Sequence, residues 1–223
     1  IHALTRDLFT FPETQDIEIA LMDIDAERVA MTEALVRKMI DELKIPAKVT
    51  AGTNRREMLE GADYVIITIM VGRFACYKND VEIPAKYGVY QAVSDTIGPG
   101  GVFRLMRTMP VLHGLIEDIR AVAPNAWVLN YSNPMAMNVW GMLETGYERV
   151  VGLCHSIQGQ YKKMFKVLDI PVNEIKYEAA GINHLTCYLK LEHNGRDIYP
   201  DLLAGREKIL EQYPHMKSSF DIL

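Results

Sequence analysis

Three cysteines in 223 residues, Cys76, Cys154 and Cys187, are too few and too odd in number for a disulfide framework. That scarcity points to a reducing compartment, and we read the chain as cytoplasmic. No CxxC or HExxH pattern is present, so spacing alone marks no metal site. Basic clusters are missing too: 24 Lys+Arg lie scattered against 29 Asp+Glu, a net charge of −5, which argues against nucleic acid as a partner. The longest nearly unbroken apolar run, Val65 to Val71, falls far short of the roughly 20 residues of a membrane helix. No basic stretch followed by an apolar one opens the chain, which begins at Ile1 and not at a methionine. Hydrophobic residues at 49% and charged residues at 24% exclude a disordered tail, a collagenous repeat and a mucin-like stalk.

What is present is an alternation. Short runs rich in branched residues trade with longer stretches of helical period, the pattern of stacked βα units around a parallel sheet. Strands are expected at residues 17–22, 48–50, 64–70, 127–129 and 150–153, and helices at 26–43, 55–60, 81–93, 102–122, 135–143 and 157–168. Asp25 is placed to cap the helix from Ala26, Pro46 closes it, and Pro110 predicts a kink or break. Gly98-Pro99-Gly100-Gly101 reads as a tight loop. The rhythm then changes: 175–180 and 185–191 read as consecutive strands, with Asn194-Gly195 as a hairpin turn before a strand at 197–199. The expected architecture is α/β, a doubly wound parallel sheet over residues 1–155 followed by the start of a second, α+β domain over 156–223.

In an open parallel sheet the ligand crevice lies beyond the carboxyl ends of the strands. The residues there are Asp23 and Asp25, Gly72, Asn133 before Pro134, Cys154-His155, and Asn183-His184. Asp23 stands where a dinucleotide-binding fold puts the acid that accepts from the adenosine ribose, with Asp25 competing for that role or for the helix cap. Gly72 is a second cofactor-binding candidate. The glycine fingerprint expected about 20 residues before the acid would fall ahead of Ile1. Cys154 and His184 each close an apolar run and could hold a divalent metal, although such residues are more often packed in a core. The anion-cradling reading of Gly98–Gly101 lacks the strand, Lys and Ser/Thr of a P-loop.

Five strings, Leu21-Met22-Asp23-Ile24-Asp25, Asp95-Thr96-Ile97-Gly98-Pro99-Gly100-Gly101, Asn130 to Asn138, Gly152 to Gly159 and Ala180-Gly181-Ile182-Asn183-His184, resemble in order and spacing family 4 of the glycoside hydrolases. Cys154-His155-Ser156 followed by a branched residue is similar to the α-galactosidase branch. The resemblance runs over essentially the whole chain and about the first half of a family member, without its opening strand and glycine loop. It implies a lactate/malate dehydrogenase-like (Rossmann) first domain, NAD and Mn²⁺ as cofactors, an α-galactoside substrate and a dimer or tetramer. The implied route is oxidation at C3, metal-assisted removal of the C2 proton, elimination, water addition and re-reduction, outside the two-carboxylate scheme of most glycosidases. Residue by residue, Cys154 and His184 match the metal ligands, Asn133 an amide that touches substrate hydroxyls near the metal and is also a cofactor-binding candidate, Asp23 the ribose acid, Asp95 a catalytic acidic position near the substrate, and His155 a catalytic position that varies with substrate class and contacts the leaving group or the sugar. The resemblance places the family's tyrosine base in the C-terminal half, beyond Leu223, so none of the eleven tyrosines here is assigned that role. Rivals are an α-glucuronidase or α-glucosidase of the same family, a 2-hydroxy-acid dehydrogenase, and a non-catalytic dinucleotide-binding module.

Overall fold

The computed structural model describes residues 2–91, 97–155, 157, 159, 165 and 168–214. The chain divides into two compact units, Ile1–Gly152 and Leu153–Leu223.

The first unit opens with helix α1 (His2–Leu8), then strand β1 (Glu18–Met22), α2 (Ala26–Leu43) and β2 (Lys48–Gly52). Asp25 caps α2 by accepting from the Arg28 N–H at 3.2 Å, and Lys44, left-handed at φ 55°, ends it. Val29, Val36 and Met39 lie on one face of α2 and pack with Phe9, Leu21, Ala47 and Val49. Each such fully buried aliphatic side chain stabilises by about 1.5–3 kcal/mol. Next come α3 (Arg55–Leu59), β3 (Tyr64–Ile67), α4 (Arg73–Ala85), α5 (Pro99–Val122), β4 (Trp127–Asn130), α6 (Met135–Leu143) and β5 (Val150–Gly152). Leu112, Leu115, Ile116 and Ile119 of α5 form a second core with Ile67, Val128, Met142 and Val150.

Among the described residues the strand pairs of this unit are all parallel, in two blocks, β1-β2 and β3-β4-β5. A doubly wound order of 3-2-1-4-5-6 with its strand 1 taken out has these same two blocks. The expected α/β architecture is therefore the observed one.

Three local expectations are corrected. The helix expected at 81–93 runs from Arg73 to Ala85, because Gly72 at φ 80° turns the chain directly into it. The helix expected from Val102 starts at Pro99, which occupies the first turn where its missing N–H costs nothing, and it continues through Pro110 without a break. The strand expected to reach Met70 stops at Ile67; the Ile69 N–H donates to Ser132 Oγ at 2.7 Å instead of to a neighbouring strand. The helix expected at 157–168 falls largely outside the described residues.

The second unit holds an antiparallel pair, β6 (Ile175–Ile182) and β7 (Leu185–His193), with short β8 (Arg196–Asp197) beside β7. Asn194 at φ 50° and Gly195 at φ 78° supply the two positive φ values of a type I′ hairpin turn. Tyr199 does not extend β8. Its N–H donates to Asp197 Oδ1 at 2.9 Å and it opens α7 (Tyr199–Ala204), followed by α8 (Arg206–Gln212). Phe165, Ile175, Tyr188, Leu191, Ile198, Leu202 and Ile209 form the core here.

Candidate active site

At the carboxyl end of β1 two acids and two arginines gather. Asp25 takes the capping role and also accepts from Arg73 Nη2 at 3.0 Å; the Arg28 backbone N–H, followed by Arg73, holds its carboxyl below the usual carboxylate range. Asp23 is thereby left out of the cap. Its Oδ1 accepts from the Asp25 N–H at 3.0 Å and its Oδ2 lies 3.2 Å from Arg28 Nε. Each carboxylate oxygen offers two acceptor directions, so Asp23 retains capacity for ribose hydroxyls.

Gly72 has a structural reason to be glycine. A Cβ there would sit 2.5 Å from Cys76 Sγ and 2.7 Å from Cys76 Cβ, and φ is 80°. The adjacent Arg107 donates from Nε to the Val71 carbonyl at 3.0 Å and bidentately to buried Asp80, from Nη1 at 2.8 Å and from Nη2. That pair joins α4 to α5 and raises the affinity of Arg107 for its proton. Neither Arg107 nor Asp80 was marked in the sequence, where no motif distinguishes them.

After β4 the chain turns through Asn130-Tyr131-Ser132-Asn133-Pro134 into α6, with the Asn133–Pro134 peptide cis. Asn133 Oδ1 accepts from the Met135 N–H at 3.3 Å, an Asx turn that fixes which end of the amide faces the helix. Ser132, Asn130 and Asn138 are buried around it. In the sequence they belong to one of the five family-like strings, where only Asn133 is given a role of its own.

Cys154 and His155 follow β5 and are exposed. His184 is exposed as well, at φ 60° in the two-residue turn Asn183-His184 that joins β6 to β7. It therefore lies on an antiparallel hairpin and not at the end of a parallel strand. Asn183 beside it is buried, and its Oδ1 has no hydrogen-bond partner among the described residues. No group of three His, Cys, Asp or Glu suited to a metal occurs among the described residues. Asp95 lies outside the described residues. In the Gly98–Gly101 stretch the Gly100 N–H is already spent on Gln91 Oε1 at 3.1 Å, so that backbone is not a vacant anion cradle. No helix among the described residues is long and apolar enough to cross a membrane.

Three comparisons bear on this arrangement. The alpha-galactosidase of Rhizobium meliloti is 41% identical over 203 residues, covering 91% of this chain and 41% of that protein. The alpha-glucosidase of Erwinia rhapontici is 32% identical, covering 97% of this chain and 48% of that one. A 6-phospho-alpha-glucosidase from gut microorganisms, solved in complex with NAD and Mn²⁺, superposes with a TM-score of 0.80 at 23% identity, over 95% of this chain and 47% of that chain. The chain thus spans less than half the length of each. The model of the family 4 glycosyl hydrolases matches residues 2–170, and the chain belongs to that family.

Proposed function

We propose that the protein hydrolyses α-galactosides with NAD⁺ and a divalent cation, Mn²⁺, as cofactors. The observation that carries this reading is the exposure of both Cys154 and His184: a thiol and an imidazole packed in a core could serve no ligand, and neither is so packed. The 41% identity to an alpha-galactosidase supports the choice of sugar. A glucosidase reading rests on the 32% relative and is separated by a substrate panel.

The donor set suits the cation on one condition. A thiolate and an imidazole alone favour zinc, so oxygen donors from the sugar must complete the shell for manganese. When bound, NAD⁺ supplies oxidation and re-reduction at C3, and the cation stabilises charge on the sugar oxygens while C2 loses its proton. Cys154 and His184 would hold the cation, Asn133 would contact both the cofactor and the sugar hydroxyls near the metal, Asp23 would hold the ribose, Gly72 would give the cofactor close approach to the backbone, and His155 and Asp95 would contact the sugar or leaving group. We further propose a cytoplasmic homo-oligomer, a dimer or tetramer.

The test is hydrolysis of an aryl α-galactoside after both cofactors are stripped. Activity should vanish and return only when NAD⁺ and Mn²⁺ are added together. Full activity in the stripped enzyme contradicts the proposal, and net NADH formation from a hydroxy acid would move it to a dehydrogenase.

A further inference from the structure

We propose that Asn130, Ser132 and Asn138 are positioning residues, a buried polar bracket at the end of β4 that sets the amide of Asn133; the inference rests on the role proposed above for Asn133. Asn130 and Asn138 are 0% exposed and Ser132 5%. The Ser132 carbonyl accepts from Asn130 Nδ2 at 2.9 Å and from Asn138 Nδ2 at 3.0 Å, so both of its lone pairs are engaged and the peptide entering Asn133 is held from two sides. The Ser132 N–H donates back to Asn130 Oδ1 at 3.2 Å.

The bracket also joins two strand ends. Ser132 Oγ accepts from the Ile69 N–H at 2.7 Å and donates to the carbonyl of Ile67, the last residue of β3, at 3.5 Å. On the other side the Asn138 N–H donates to the Pro134 carbonyl at 2.8 Å, tying the bracket to the first turn of α6. Asn133 thus sits between a locked peptide before it and a helix start that its own Oδ1 accepts from.

This arrangement is expensive. Asn138 Oδ1 is buried with no partner among the described residues, and a partly satisfied buried network is less stable than apolar side chains of the same volume. A side chain kept at such a cost, one turn into the helix that follows Asn133, is explained by the geometry it imposes. Small misplacements of a group that orients substrate cost on the order of 100-fold in rate.

The experiment compares Asn138→Leu, Ser132→Ala and Asn133→Ala in the full-length protein. Asn138→Leu should melt no lower than the wild type, because the orphaned oxygen is gone. Its NAD⁺ dissociation constant, measured by calorimetry without substrate, should rise about tenfold. Its kcat should fall on the order of 100-fold while KM for the glycoside moves less than about threefold. Ser132→Ala should shift both in the same direction, and it serves where Asn138→Leu does not fold. Wild-type NAD⁺ affinity and kcat in both bracket variants, with Asn133→Ala impaired, overturn this inference alone. An unimpaired Asn133→Ala overturns the role of Asn133 and the bracket with it.

Discussion

Cys154 is the residue on which the proposed chemistry turns, and its exposure makes a direct prediction. Cys154→Ser replaces a soft thiolate with a poorly ionised hydroxyl, so Mn²⁺ affinity should fall by roughly 100-fold or more, read by electron paramagnetic resonance of free Mn²⁺. Unchanged affinity would remove the residue from the metal site. Gly72 makes a second, purely conformational prediction. Gly72→Ala forces a Cβ into a left-handed backbone against Cys76 and should lower stability by about 1–3 kcal/mol in urea denaturation. At this scale the sequence displayed the acids at 23 and 25 but not their division of labour. Only the extended backbone of Asp25 and its bond to the Arg28 N–H assign it the cap. Asn138 was hidden for another reason: its partner, Ser132, lies outside the helix, where no helical spacing points to it.

Helix α4 illustrates what periodicity cannot see. Its buried residues are Asp80 and Pro84, so it is held by the Asp80–Arg107 pair and not by an apolar stripe, and a reading based on stripes found only its end. Helix α2, with Val29, Val36 and Met39 on one face, was legible to the residue. Helices α3 and α5 are joined by Asp118, which accepts from Arg55 Nε and Arg56 Nε, each at 2.6 Å. Burial raises the Asp118 pKa, but the hydrogen bonds from Arg56 and Arg55 outweigh it and the net shift is downward. A lowered folded-state value means that the pair stabilises above the unfolded pKa of about 3.9 and that this is lost as pH falls through the folded value. Asp118→Asn should therefore cost about 1–2 kcal/mol at pH 7, discounted for the partly exposed arginines. In urea titrations the gap to wild type should narrow below about pH 4. A constant gap across that range would assign the loss to packing.

At the scale of the whole molecule, the alternation of strands and helices announced the parallel α/β unit, and the loss of alternation announced the consecutive strands β6 and β7, though not their antiparallel pairing. The placement of His184 on the tip of that hairpin was not legible, because a strand ending in Asn-His reads alike whether the next strand returns beside it or not. The signature of the reaction proposed above is a carbon–hydrogen bond broken at C2 before the glycosidic bond. A displacement at C1 by a pair of carboxylates leaves that bond untouched. The deciding measurement is hydrolysis of an α-galactoside in D₂O with NAD⁺ and Mn²⁺ present, followed by nuclear magnetic resonance of the released galactose. Deuterium at C2 is the predicted result, and galactose carrying only protium there contradicts the account.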